Sequence, residues 1–127
     1  MVTIANKTVL VTGANRGIGR ALVEEALARG AKRVYAGTRQ PLAHPDTRVT
    51  PVTLDVTSAA QVQFAADQAV SLDIKVNNAG VALYDDLSDR AMLERHLAVI
   101  LFGTYDVTQA FLPALTRSRG PSSTTCR

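Results

Sequence analysis

The sequence predicts an α/β fold: an incomplete, Rossmann-like, doubly wound parallel sheet of about four strands in the order 3-2-1-4. Three observations predict it. Short β-branched apolar runs alternate with stretches of helical period. A glycine-rich turn joins the first run to the first helical stretch. No repeat or low-complexity linker divides the chain.

The elements follow in order. Lys7 to Thr12 (KTVLVT) is a buried strand that ends at Gly13. From Gly17 the pattern is helical, with Ile18, Leu22 and Ala26 on one face and Glu24 and Glu25 on another. Gly30 closes this helix, and Arg29 in the last turn suits the dipole. Arg33 to Gly37 is the second strand. Gln40 to Arg48 holds Pro41 and Pro45 and is too broken for a long helix. The third strand runs from Val52 to Asp55, entered after Pro51. Ser58 and Gln61 form a capping box opening a helix through Val62, Ala66 and Ala69. Asp73 to Asn77 is the fourth strand, and a loop follows from Asn78 to Ser88. From Asp89 to about Thr116 lies a long helical stretch, bent or broken near Gly103, with Leu93, Leu97, Leu101 and Tyr105 in one row. Lys75 is out of place, because a parallel strand covered on both faces wants an apolar residue there.

Bulk composition narrows the function classes. A chain of 127 residues with 46% hydrophobic and 20% charged residues can build one globular core. The net charge of +3 is scattered, with no run of like charges, which argues against a nucleic-acid partner. No stretch approaches a membrane span, and the first apolar run lacks the features of a signal peptide. The single cysteine, Cys126, cannot form an internal disulfide, so a cytoplasmic location is expected.

The segment Thr12-Gly13-Ala14-Asn15-Arg16-Gly17-Ile18-Gly19 carries the chemistry. A pyrophosphate needs bare backbone N–H groups and the positive end of a helix. Gly13 turns the chain off the strand, Gly17 lets the backbone approach phosphates, and Gly19 lets the helix pack close to the sheet. An acid about 20 residues past such a loop ordinarily takes the ribose 2′-OH of NAD. Here that place reads Gly37-Thr38-Arg39, without an acid. A 2′-phosphate is repelled by a carboxylate and held by guanidinium forks. Arg16 and Arg39 therefore point to NADP rather than NAD; two solvated surface arginines are the bland alternative.

The spacing Thr-Gly-x-x-x-Gly-x-Gly resembles that of the short-chain dehydrogenase/reductase family, and three landmarks follow in register over residues 5 to 119. Asp55-Val56 is similar to the family's acidic site for the adenine amino group. Asn77-Asn78-Ala79-Gly80 is similar to the motif that steadies the sheet and lines the ribose pocket. Leu101-Phe102-Gly103-Thr104 through Phe111-Leu112-Pro113 looks like the long helix beside the active site. Taken alone, Asp55 also reads as a helix cap, and Asn77-Asn78 as a loop satisfying its own backbone. The resemblance implies hydride transfer between NADP(H) and a small carbonyl or alcohol in a complete form. The implied cofactor-binding residues are Gly13, Asn15, Arg16, Gly17, Ile18, Gly19, Arg39, Asp55, Val56, Asn78, Ala79 and Gly80.

The family's Ser-Tyr-Lys catalytic set does not follow. Tyr35, Tyr84 and Tyr105 are succeeded four residues on by Arg39, Ser88 and Gln109, and Ile100 stands where the supporting Asn belongs. No catalytic residue is assigned, and the chain is expected to be inactive. The tail Gly120-Pro-Ser-Ser-Thr-Thr-Cys-Arg127 reads as neither strand nor helix. Its codons in a shifted frame allow Ile-Val-Asn-Asn-Leu-Ser, similar to the family's fifth strand ending at its serine. The expectation is a frameshift near Gly120, leaving residues 1–119 as a partial NAD(P)-binding Rossmann domain and 120–127 as an aberrant tail. Strand four would then lack an outer neighbour, and association or aggregation through that exposed edge is expected. The alternative is a non-catalytic NADP-binding module or a subunit needing a complementary partner.

Overall fold

The computed structural model describes residues 3–15, 17–40, 42–78, 90–117 and 122–125. In chain order the elements are β1 (Thr8–Thr12), α1 (Gly17–Ala28), β2 (Arg33–Thr38), β3 (Val49–Thr53), α2 (Ala59–Gln68) and β4 (Ile74–Asn77). Then come α3 (Arg90–Leu97), a π-helical segment (Ala98–Gly103), α4 (Thr104–Arg117) and β5 (Ser122–Thr125). The strands form one parallel sheet in the order β3-β2-β1-β4-β5. The expected 3-2-1-4 arrangement is therefore present, and the long helix runs on unbroken through a π-helical segment that ends at Gly103, where a bend or break was expected.

The fifth strand corrects the reading of the tail. Ser122 to Thr125 pairs in parallel with Ile74 to Asn77, so β4 is not an edge. The serines and threonines carry no apolar pattern. Unpaired N–H and C=O groups along β4 are enough to recruit an extended segment that does not oppose them. The open edge of this side of the sheet moves outward to β5.

Pro51 is the second correction. It lies inside β3 rather than before it, opposite Ala36 of β2. Because β3 is the outer strand, the missing N–H costs no ladder bond if it faces away.

Two apolar clusters sandwich the sheet. Val9 and Val11 of β1, Val34 and Ala36 of β2, and Val23, Ala26 and Leu27 of α1 fill one side. Leu10 of β1 points to the other, with Val62, Ala65 and Ala66 of α2 and Val107, Phe111, Ala114 and Leu115 of α4. The buried face of α1 is thus Gly19, Val23, Ala26 and Leu27, one residue off the expected row, and Ile18 is exposed. On the long helix, Leu97, Leu101 and Tyr105 are exposed, while Val99 packs against the core and Val107, Phe111, Ala114 and Leu115 are buried in it; the side chain of Leu93 lies outside the described residues. The helix α1 ends in a Schellman motif: Ala31 N–H donates to Ala26 O and Gly30 N–H to Leu27 O, with Gly30 at φ +85°. Arg29 lies just past the helix and pairs with Glu25 at 2.8 Å. Arg48 completes this end. Its guanidinium donates to Leu27 O at 3.1 Å while holding Asp46 at 2.7 Å.

Lys75 is fully buried, on the side of the sheet occupied by α4. Its ammonium donates to Thr108 Oγ1 at 2.8 Å and to Asn77 Oδ1, two neutral acceptors. Burial pushes the lysine down from 10.5 to about 8. The folded state releases its proton near pH 8, whereas the unfolded chain keeps it to about 10.5. Between those values the unfolded state binds more protons, so stability rises with pH. Below pH 8 the full cost, about 3 kcal/mol, is present. Urea unfolding of the chain should show this rise between pH 8 and 10.5, and Lys75→Met should abolish it while raising stability at pH 7. A pH-independent midpoint in both proteins would contradict the account.

Candidate functional site

All strands are parallel, so their carboxyl ends lie along one edge of the sheet. The chain leaves β1 toward α1 there, and β1 has β2 on one side and β4 on the other. This is where the strand order reverses, the crevice at which ligands bind in open α/β sheets.

The glycine turn is fixed from three directions. Ala14 N–H donates to Gly37 O of β2 at 3.0 Å. Asn78 N–H donates to Thr12 Oγ1 at 2.9 Å, and Asn78 Nδ2 donates to Gly13 O at 3.3 Å. Thr12 Oγ1 in turn donates to Val76 O at 3.4 Å. Asn78 thereby ties the end of β4 to the turn, as the resemblance implied. Gly13 and Gly17 take left-handed backbone, φ +65° and +58°. A Cβ on Gly19 would lie 2.0 Å from Gly13 O and 2.6 Å from Asn78 Nδ2. A Cβ on Gly17 would meet nothing within 4 Å. Gly19 therefore serves packing, and Gly17 faces open space at the start of α1. The first turn of α1 contains no acid, so its N–H groups and positive dipole end face no fixed negative charge of their own.

Around this cradle stand Asn15 and Ile18, both exposed, and Arg39 at the end of β2. The Arg39 guanidinium is exposed and has no hydrogen bond or ion pair among the described residues. It lies near enough to Asp55 for its charge to act on that carboxylate. The Thr57 hydroxyl and N–H, first of all, and then the Arg39 charge hold Asp55 below its ordinary range. Val56, beside it, is buried, and its side chain fixes how close the long helix can come: a Cβ on Gly103 would lie 2.7 Å from Val56 Cγ2.

The structure thus brings Gly13, Asn15, Gly17, Ile18, Gly19, Arg39, Asp55, Val56 and Asn78 to one edge of the sheet. Arg16, Ala79, Gly80 and Tyr84 lie outside the described residues, as does the side chain of Ile100. Sequence reasoning named Thr12 in the glycine motif and Gln61 in the capping box but gave neither its part in fixing the turns after β1 and β3. The polar residue closing an apolar strand and the capping-box glutamine were their signals. Among the described residues no cluster of three or more metal-ligating side chains occurs, and no helix is long and apolar enough to cross a membrane.

A family model described as short chain dehydrogenase matches residues 7–122. The chain belongs to the short-chain dehydrogenase family. A short-chain dehydrogenase/reductase of Pestalotiopsis microspora is 34% identical over 121 residues, covering 91% of this chain and 45% of the relative. A Burkholderia cenocepacia short chain dehydrogenase, solved in complex with NADP, superposes with a TM-score of 0.89 at 36% identity. That match covers 95% of this chain and 53% of the other. A Leptospira borgpetersenii short chain dehydrogenase with bound NAD+ has a TM-score of 0.72 at 26% identity, over 84% of this chain and 45% of its own. The chain spans 30% to 54% of the length of the curated relatives it matches. Members of this family are NAD(P)(H)-dependent oxidoreductases, and the dinucleotide-binding architecture is the part that this chain shares with them.

The two glycines of the turn give a test. Gly19→Ala forces backbone to move and should lower stability by about 1–3 kcal/mol or more. Gly17→Ala has room for its methyl and should cost only the left-handed strain, about 1 kcal/mol. Urea midpoints that fall equally, or further for Gly17→Ala, would contradict this packing.

Proposed function

We propose that this chain is the cofactor-binding part of an NADP(H)-dependent oxidoreductase that moves hydride to or from a carbonyl or alcohol. The observation that carries the reading is the turn after β1. Open space at Gly17 stands at a helix N-terminus, and just past β2 stands the Arg39 guanidinium, without a hydrogen bond or ion pair among the described residues. The first would take a pyrophosphate on backbone N–H groups, and Arg39, with Arg16, a ribose 2′-phosphate. Asp55 and Val56 would meet the adenine, and Asn78, Ala79 and Gly80 the nicotinamide-side ribose. Asn15 and Ile18 would wall the entrance. The bound dinucleotide would supply the hydride or accept it.

The chain's own residues provide positioning but no proton relay. No Tyr-x-x-x-Lys occurs in the 127 residues, and Ile100 occupies the place of the supporting Asn. A positioned acid–base group typically contributes about 10²–10⁴-fold to such a reaction. We therefore propose that this chain by itself is inactive, with residues 1–119 as a partial NAD(P)-binding Rossmann domain and residues 120–127 as an aberrant tail arising from a shifted frame near Gly120. DNA beyond codon 119 holding Tyr-x-x-x-Lys in a shifted frame would support that origin.

A specific observation favours a second reading, a non-catalytic NADP-binding subunit that needs a complementary partner. Leu97, Leu101, Phe102, Tyr105 and Leu112 are exposed along the long helix, and β5 leaves an open sheet edge. Association through that edge belongs to this reading.

Two measurements test the proposal. Charge-assisted hydrogen bonds contribute about 1.5–3 kcal/mol, so Arg39→Glu should weaken NADP binding roughly tenfold or more and NAD binding far less. Equal losses would remove the case for NADP. In a stopped assay of NADPH oxidation with aldehydes, ketones and quinones, the unmodified chain should show no turnover. Turnover that Gly17→Val abolishes would overturn the inactive reading.

A further inference from the structure

The turn after β3 is held from several sides. Leu54 N–H donates to Thr38 O at 2.7 Å, and Ser58 N–H to Asp55 O at 2.9 Å. Asp55 Oδ1 accepts from Thr57 N–H at 2.9 Å and from Thr57 Oγ1 at 2.6 Å. Asp55 N–H donates to Gln61 Oε1 at 2.8 Å. The last bond departs from the capping-box rule. Ser58 is the N-cap of α2 and its hydroxyl accepts from Gln61 N–H at 3.3 Å. A glutamine at that position ordinarily returns to the N–H of the cap residue. Here the Ser58 N–H is already taken by Asp55 O, and Gln61 reaches past it to Asp55, two residues beyond the end of β3.

Several polar groups of this turn have no hydrogen-bond partner among the described residues, and two of them belong to neighbouring residues that can meet a base. They are the N–H of Val56 and the second carboxylate oxygen, Oδ2, of Asp55. A donor beside an acceptor matches the edge of adenine, which offers a ring-nitrogen acceptor and an amino donor. A 6-oxo purine offers the reverse, a ring N–H and a carbonyl oxygen. The carbonyl would then face a carboxylate.

We infer that Gln61 is a positioning residue: through the Asp55 N–H it holds the Asp55–Val56 turn so that the bound dinucleotide must carry adenine rather than a 6-oxo purine. The inference rests on the proposed reading of Asp55 and Val56 as the adenine contacts. Asp55 is only partly exposed, so its N–H needs an acceptor. Without Gln61 that N–H loses its acceptor, and the turn carrying the carboxylate and the neighbouring N–H is no longer fixed by it. Thr57 alone fixes the carboxylate against its own residue and does not fix the peptide before Asp55.

The test is titration calorimetry of the 127-residue chain with NADP and with its hypoxanthine analogue. The unmodified chain should favour the adenine form by about tenfold or more. Gln61→Met removes the acceptor at similar volume and should bring the ratio below about threefold. Gln61→Glu keeps an oxygen acceptor and should retain the preference. A ratio unchanged in Gln61→Met, or lost in Gln61→Glu, overturns the inference while leaving dinucleotide binding intact. If the unmodified chain binds neither dinucleotide, the cofactor reading fails and the inference with it. Amide exchange without ligand tests the bond independently of any variant: the Asp55 N–H should be protected in the unmodified chain, and free exchange overturns the proposal.

Discussion

The approach of α1 to the turn after β1 is the constraint on which the rest of the structure depends. Gly19 lies so close to Gly13 O that no side chain fits between them. This sets how near α1 comes to the sheet, and so how Val23, Ala26 and Leu27 meet Val9, Val11 and Val34. It also aims the first turn of the helix at the edge where β1 parts from β4. Thr12 and Asn78 extend the same constraint sideways, because one hydroxyl joins the ends of β1 and β4. Core packing and the open N–H groups of the cradle are thus two consequences of one contact.

The far side of the sheet is organised by a less favourable arrangement. Lys75 places an amine among apolar residues under α4, with Asn77 and Thr108 as its acceptors. Burying a cation without an anion is costly, and the depressed proton affinity expresses that cost. Thr108 also donates to Thr104 O at 2.8 Å, so the group that receives the lysine is itself fixed to the helix. Phe111, Val107 and Leu115 carry the apolar part of the same contact and offset the penalty. The long helix therefore joins the sheet through an apolar seam that encloses this polar clasp.

Much of this was legible in the sequence. Strand order, the glycine turn and the irregularity of the long helix up to Gly103 follow from periodicity and from glycine positions, which are local signals. Arg39 and Asp55 were legible as residue types at expected places. Three features were not. The strand at Ser122 to Thr125 forms because β4 has unpaired backbone groups, and backbone demand leaves no mark in side-chain pattern. Pro51 sits inside β3 because that strand has a free side, a property of topology rather than of the proline. The reach of Gln61 to Asp55 depends on the Ser58 N–H being occupied, which only the folded turn decides. Ile18 was misread for a similar reason: the helix phase is set by Gly19 against Gly13, and that turns Ile18 outward.

The central claim is that one edge of the sheet forms a dinucleotide cradle at the turn after β1. Backbone amide spectra of the chain, recorded as NADP is added, test it most directly. The account predicts saturable shifts at Gly13 to Gly19, Thr38 to Gln40, Asp55 to Thr57 and Asn78, with little change at Val70 or Arg117 on the opposite edge. No saturable shift, or shifts concentrated on α4 and β5 instead, would contradict it.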